Sequence, residues 1–169
     1  AGGTGASARA LQSASGTNEW TGTITLSGDA GVSAAAGAVL VLNDIAAGDN
    51  ALWVAGDGDT ILDETITSDR EDATSFVKTN TGTVYVMGDN VLEGNRFIRE
   101  GTVVLGHDNA FGSSGVTVVG GLNSAVTTNA AVLEVAEGIT HGGTIRIQPT
   151  ATNTTARVLA YNAGAGTGT

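Results

Sequence analysis

The stretch from Phe76 to Gly121 reads FVKTNTGTVYVMGDNVLEGNRFIREGTVVLGHDNAFGSSGVTVVGG. Gly82-Thr83-Val84-Tyr85-Val86 is followed by a second copy of the same phrase, Gly101-Thr102-Val103-Val104-Leu105. Working outward, the phrase recurs at Gly22-Thr23-Ile24-Thr25-Leu26 and at Gly143-Thr144-Ile145-Arg146-Ile147. Alternating apolar residues over four or five positions, bounded by Gly, Asn and Asp, are strand signals. A sandwich has no reason to reuse one phrase. A solenoid does, because each coil meets the same steric demand at the same corner. The expected fold is therefore all-β, a parallel β-helix (solenoid) of stacked short strands.

Strands are predicted near 23–26, 39–42, 51–54, 60–66, 76–78, 83–87, 96–98, 102–105, 116–119, 131–135, 144–147 and 157–161. No window of twelve residues carries a 3.6-residue apolar period, and Ala34-Ala35-Ala36, bracketed by Gly31 and Gly37, is the nearest thing to a helical start. In a parallel solenoid each inward residue lies about 4.8 Å from its equivalent in the next coil. Val84 and Val86 should then meet Val103 and Leu105. The inward positions expected to form the structural core are Ile24, Leu26, Leu40, Leu42, Val84, Val86, Ile98, Val103, Leu105, Val118, Leu133, Ile145 and Ile147. Corners such as Gly88-Asp89-Asn90 and Gly112-Ser113-Ser114-Gly115 suit residues that tolerate positive φ.

Phe76, Lys78, Gly82, Thr83, Gly88, Asn90, Gly94, Ile98, Gly101, Thr102, Leu105, Gly106, Ala110, Phe111 and Gly112 follow a familiar order and spacing. The stretch resembles the autotransporter-associated β-strand repeat of bacterial surface proteins. Asn80, Met87 and Phe111 stand where that pattern has glycine, serine and leucine. The segment from Asn18 to Ala30 looks like the one that often precedes the repeat, so the resemblance covers about two thirds of the chain. It implies a right-handed parallel β-helix, export, and an extracellular or cell-surface setting.

Composition narrows the function. The chain has 169 residues, 26 of them Gly, one Pro, no Cys and one Lys, Lys78. The 24 Thr residues favour strands because their branched Cβ is stiff at χ1. Thiolate and disulfide chemistry is excluded. A formal charge of −10 disfavours nucleic acid and anionic membranes as partners. No apolar run is long enough to cross a bilayer as a helix.

Few residues invite chemistry. His107 and His141 are the only histidines. Each lies beside glycine in a turn-like context, without a nucleophile elbow or zinc-ligand spacing. Seven acids lie between Asp57 and Asp72. Asp57, Asp59 and Asp63 could offer oxygen to Ca²⁺, but the nonapeptide and EF-hand patterns are absent and a solvated acidic loop is the expected outcome. A β-helix polysaccharide lyase or hydrolase would need clustered carboxylates and a basic residue in a long groove. Here Arg96 and Arg99 read instead as surface ion pairs with Glu93 and Glu100. Trp20, Trp53, Tyr85 and Tyr161 could stack on sugars only if they shared a face. No catalytic residue and no cofactor is expected.

The chain divides into a Gly/Ala-rich lead-in (1–17), first coils with the acidic loop 57–72 (18–75), the best-matching repeat (76–121), further coils (122–161) and a Gly/Ala/Thr tail (162–169). It begins Ala1-Gly2-Gly3, and Ala163 to Thr169 resembles Ala1 to Ala6. The expectation is one unit of a longer tandem array, or a subunit that stacks end to end. Its own copies or tandem neighbours would be its partners. An adhesin passenger binding glycans or cells through loops is the alternative.

Overall fold

The computed structural model describes residues 9–120, 130–149 and 156–160. Among these there is no helix. The first turn consists of β1 (Arg9–Ser13), β2 (Thr17–Trp20) and β3 (Ile24–Thr25). The second is β4 (Ala30–Ala34), β5 (Val39–Leu42) and β6 (Ile45–Gly48). The third is β7 (Leu52–Gly56), β8 (Asp59–Leu62) and β9 (Ile66–Ser68). The fourth is β10 (Thr74–Lys78), β11 (Thr83–Val86) and β12 (Val91–Leu92). Beyond it the third side has no strand among the described residues, and the chain continues as β13 (Asn95–Ile98), β14 (Gly101–Leu105), β15 (Val116–Val119), β16 (Ala131–Val135), β17 (Thr144–Ile147) and β18 (Ala156–Ala160).

Every third strand pairs up to β14 and every second one after it, so the chain winds a β-solenoid that is three-sided in its first four turns. The first sheet runs β1-β4-β7-β10-β13-β15-β17, the second β2-β5-β8-β11-β14-β16-β18, and the third β3-β6-β9-β12. All pairings are parallel. Val84 pairs with Val103 and Val86 with Leu105, the register read from the sequence.

The inward residues form ladders that fill the interior. One runs Trp20, Leu42, Leu62, Val86, Leu105, Val135, Ala160 through the second sheet. Another runs Leu11, Val32, Val54, Lys78, Ile98, Val119, Ile147 through the first. Short branched side chains suit this geometry, because each must fit within one strand spacing of the next.

The Gly-Thr phrase does not mark one corner. The copies at Gly82 and Gly101 lead into the second sheet, Gly22 into the third, and Gly143 into the first. Only at Gly82 and Gly101 is the steric demand shared. A Cβ on Gly82 would lie 2.0 Å from the carbonyl oxygen of Gly58. One on Gly101 would lie 2.3 Å from that of Asn80, and Gly101 also has φ of 78°. At that corner successive backbones rest on one another without room for a side chain.

Three further expectations change. Ala34 ends a strand, β4, and starts no helix. The run 60–66 breaks into β8 and β9 at a corner. β1, β2, β4, β6 and β12 were not anticipated, because their residues are small, polar or too few to show alternation.

Candidate functional site

Leu40, Leu42, Val84, Val86, Ile98, Val103, Leu105 and Leu133 are buried in the common core. Ile24, Leu26 and Ile145 are half-buried and pack against it. Ile147 is 53 % exposed, contrary to expectation. Its register is inward, but among the described residues β17 is the last strand of its sheet. Val118 is buried yet lies outside the core cluster, level with Phe97 and Arg146 on the outer face. Thr117 and Val119 hold the inward positions of β15, beside Arg96 and Ile98.

The interior is not purely apolar. Each of its three corners holds a large buried polar side chain (Lys78, Asn90, Arg96) that ties backbone groups together. Where the first sheet turns into the second, Lys78 Nζ donates to the carbonyls of Thr79 (2.8 Å), Asn80 (2.6 Å) and Glu100 (3.4 Å). Where the second turns into the third, Asn90 accepts from the amide of Ile66 (2.6 Å) and donates to the carbonyl of Ala110 (2.7 Å). Where the third side returns to the first, Arg96 Nη1 donates to the carbonyls of Leu92 (3.2 Å), Gly94 (2.7 Å) and Ser114. Its Nε donates to Thr117 Oγ1 at 3.3 Å, and the guanidinium lies over the Phe111 ring. Backbone carbonyls that face inward at a corner need donors, and these side chains supply them.

The surface ion pair expected of Arg96 is thus replaced by an interior role. Burial lowers its pKa to about 10, which leaves it charged at neutral pH. Burial lowers Lys78 to about 8, against the raising influence of Glu100, Asp57 and Asp59. Arg99 lies over the rings of Trp53 and Phe97 on the outer face of the first sheet, at 5.2 and 5.9 Å.

The acids act between coils. Asp57 Oδ1 accepts from the amide and hydroxyl of Thr81 (3.2 and 2.7 Å), and Asp59 Oδ1 from the amide of Thr83 (3.4 Å). Asp29 accepts from the amide of Ala51 at 2.8 Å and pairs with Arg70 at 2.5 Å. Asp44 caps Thr65 and Asp108 caps Thr140 in the same manner. Each carboxylate satisfies a corner amide one coil further on. The hydrogen bonds from Thr81 hold Asp57 below the usual carboxylate range, and the amide of Ala51, with Arg70, does the same for Asp29. Asp63 is exposed. Among the described residues no three His, Asp or Glu side chains converge as a metal site.

His107 accepts from the amide of Asn109 through Nδ1 at 3.1 Å and serves a turn. His141 is half-buried, and both its ring nitrogens lack a partner among the described residues. Burial, then Arg96, lowers its pKa. Glu71, Asp72 and Glu93 line a depression of about 210 Å³ with Asn95 and Ser114, but the nearby guanidinium of Arg96 is locked on carbonyls. The aromatic residues do not share a face. Trp20 occupies an inward rung of the second sheet, Trp53 lies outside the first, Tyr85 lies outside the second, and Tyr161 falls outside the described residues. The resembling termini, 1–6 and 163–169, fall outside them as well.

The ends of the stack differ from its middle. At the start, Leu11, Trp20, Ile24, Leu26, Ala30 and Val32 surround an open apolar groove of about 210 Å³, with Trp20 52 % exposed. At the finish, β17 and β18 are the last strands of their sheets. No known family, characterised protein or solved structure matches the chain.

Proposed function

We propose that this chain is a structural segment of an exported, repetitive surface protein, contributing length and stiffness to a stalk, fibre or coat. What carries the reading is the pair of seven-stranded parallel sheets that share one continuous interior from end to end. Their inter-strand hydrogen bonds run along the axis, so stretching or bending the segment works against many at once. Coil stacking is also how such a fold accumulates stability, since a single turn cannot bury its own face. Resemblance of residues 76–121 to the autotransporter-associated repeat supports the surface address.

Length limits what the segment does alone. Seven strands give six steps of about 4.8 Å, or roughly 30 Å, the diameter of a small domain. A stalk therefore needs more coils, from a longer polypeptide or from neighbouring copies. The reading is tested in the producing cell, by tagging an exposed corner such as Glu64 and probing intact cells with antibody and protease. Accessible tag and an extended projection that shortens when the segment is deleted are the expected results. A tag protected until lysis, with no change in surface projections, would overturn the reading.

A further inference from the structure

We propose that the outer face of the first sheet binds a linear anionic polysaccharide, one that carries a carboxylate or a sulfate on every second sugar. The glycan lies along the solenoid axis. Its rings rest on Trp53 and Phe97, and its anionic groups meet Arg99 and Arg146. The site goes beyond the structural reading above and does not depend on the surface address.

The face is built on one outward row of the sheet. Gly31, Trp53, Val77, Phe97, Val118 and Arg146 stand in register, one per strand. Small and large side chains alternate along it. Trp53 and Phe97 are half-exposed and Arg146 is exposed, whereas Gly31, Val77 and Val118 are buried. Trp53 thus shares its face with Phe97, an aromatic outside the set expected to stack on sugars. Consecutive large residues lie two strand spacings apart, about 9.6 Å. That is close to the span of a disaccharide in an extended chain, so every second sugar meets a comparable feature. The strands that carry the two rings, β7 and β13, both have paired strands on either side, so the site needs no free end of the stack.

Arg99 makes the row a charged platform. Its guanidinium lies over both rings, 5.2 Å from the Trp53 centroid and 5.9 Å from that of Phe97. A guanidinium stacked on rings keeps its edge donors for a carboxylate or sulfate. Among the described residues Arg99 forms no ion pair, and neither its Nε nor Trp53 Nε1 has a hydrogen-bond partner. The seven strands of this sheet contain no Asp or Glu, although the chain has 17. Arg99 follows β13 and Arg146 lies on β17, again two spacings apart.

Acids border the row at both corners. Asp29, Glu71, Asp72 and Glu93 precede its strands, and Asp57 and Glu100 follow them. They confine an anion to the centre line and keep affinity modest. A nucleic acid, charged at every nucleotide, would meet that repulsion along its whole length. A glycan charged on alternate sugars would not.

Calorimetric titration of the 169-residue chain at low salt tests this. The probes are an alternating uronate–hexosamine hexasaccharide, its carboxyl-reduced counterpart, a sulfated hexasaccharide and single-stranded DNA of equal charge. At least one anionic glycan should bind, more weakly as salt rises, and the stronger of the two identifies the anionic group. Arg99→Met still covers Val77 but should weaken binding about tenfold, the worth of one charge-assisted contact. Arg157→Met removes the same charge from the exposed face of the second sheet and should leave affinity unchanged. Circular dichroism checks folding, and Arg146→Gln, at an exposed position, is the substitute if Arg99→Met does not fold. Failure of both anionic glycans to bind would overturn the site. So would equal binding of the carboxyl-reduced probe, a preference for DNA, or an equal loss in Arg157→Met.

Discussion

Ile98 and Ile147 occupy the same ladder, three strands of one sheet bringing them within two steps of each other. Ile98 is fully buried, whereas Ile147 is 53 % exposed. The residue type and inward direction are the same. What differs, among the described residues, is a paired strand on both sides of Ile98 and on one side of Ile147. In the middle of the stack the rungs above and below, together with the corner side chains Lys78, Asn90 and Arg96, close the interior completely. At the start the ladders stop at an open groove, and at the far end Ile147 stands exposed. In a solenoid, burial belongs to position along the axis as much as to sequence.

The largest test of that contrast places a charge in each region. Val103→Asp puts an uncompensated carboxylate among Val84, Leu133 and their neighbours, and the variant should fail to fold cooperatively. Ile147→Asp should leave the melting midpoint of the monomer nearly unchanged, within about 0.5 kcal/mol. Truncation gives a graded version. Leu105→Ala should cost about 2–5 kcal/mol in denaturant melts, while Ile147→Ala should cost under about 1 kcal/mol. Equal effects in the middle and at the end would abolish the distinction.

The corners come next. Lys78→Met keeps the length of the side chain but strands the carbonyls of Thr79, Asn80 and Glu100, at about 1–3 kcal/mol for a buried group left unpaired. Arg96→Met should act similarly through Leu92, Gly94 and Ser114. The lysine also carries a pH signature. Its folded pKa of about 8 lies below the ordinary 10.5, so between those values the unfolded chain holds a proton that the folded chain has released. Stability therefore rises with pH across that window, and the advantage of the wild type over Lys78→Met should widen from pH 8 to pH 10. A flat difference would mean the ammonium is not desolvated.

This middle region is also where the sequence was most readable. Val84, Val86, Val103 and Leu105 alternate cleanly, and two copies of one phrase align them without ambiguity. The first two turns were harder. β4 is Ala-Gly-Val-Ser-Ala, and β2 is Thr-Asn-Glu-Trp; neither alternates in the way a half-buried strand does. Arg96 was misread because Glu93 and Glu100 lie close in sequence, whereas a guanidinium can also find its partners in carbonyls turned inward at a corner. That choice carries Thr117 inward with it, through the bond from Nε, and so moves Val118 to the outer face. No local pattern signals it. The acidic density of 57–72 was plain, but its purpose appears only when the next coil brings Thr81 and Thr83 alongside.

Those acids give the smallest prediction. Asp57 and Asp29 have folded pKa values below the ordinary 3.8, because each accepts hydrogen bonds from the adjoining coil. A carboxyl with a depressed folded pKa contributes stability above its unfolded value and loses it as pH falls through the folded one. The contribution is thus present at neutral pH and disappears below about pH 4. Both groups are largely solvated, so the effect of either alone is small. Asp57→Asn keeps an acceptor for Thr81 but cannot titrate. Compared by acid titration monitored at the melting midpoint, it should be slightly less stable than the wild type at pH 7 and converge with it near pH 3. A constant offset across that range would show that the bond from Asp57 to Thr81 does not depend on its charge, and that corner amides in this solenoid need only an oxygen.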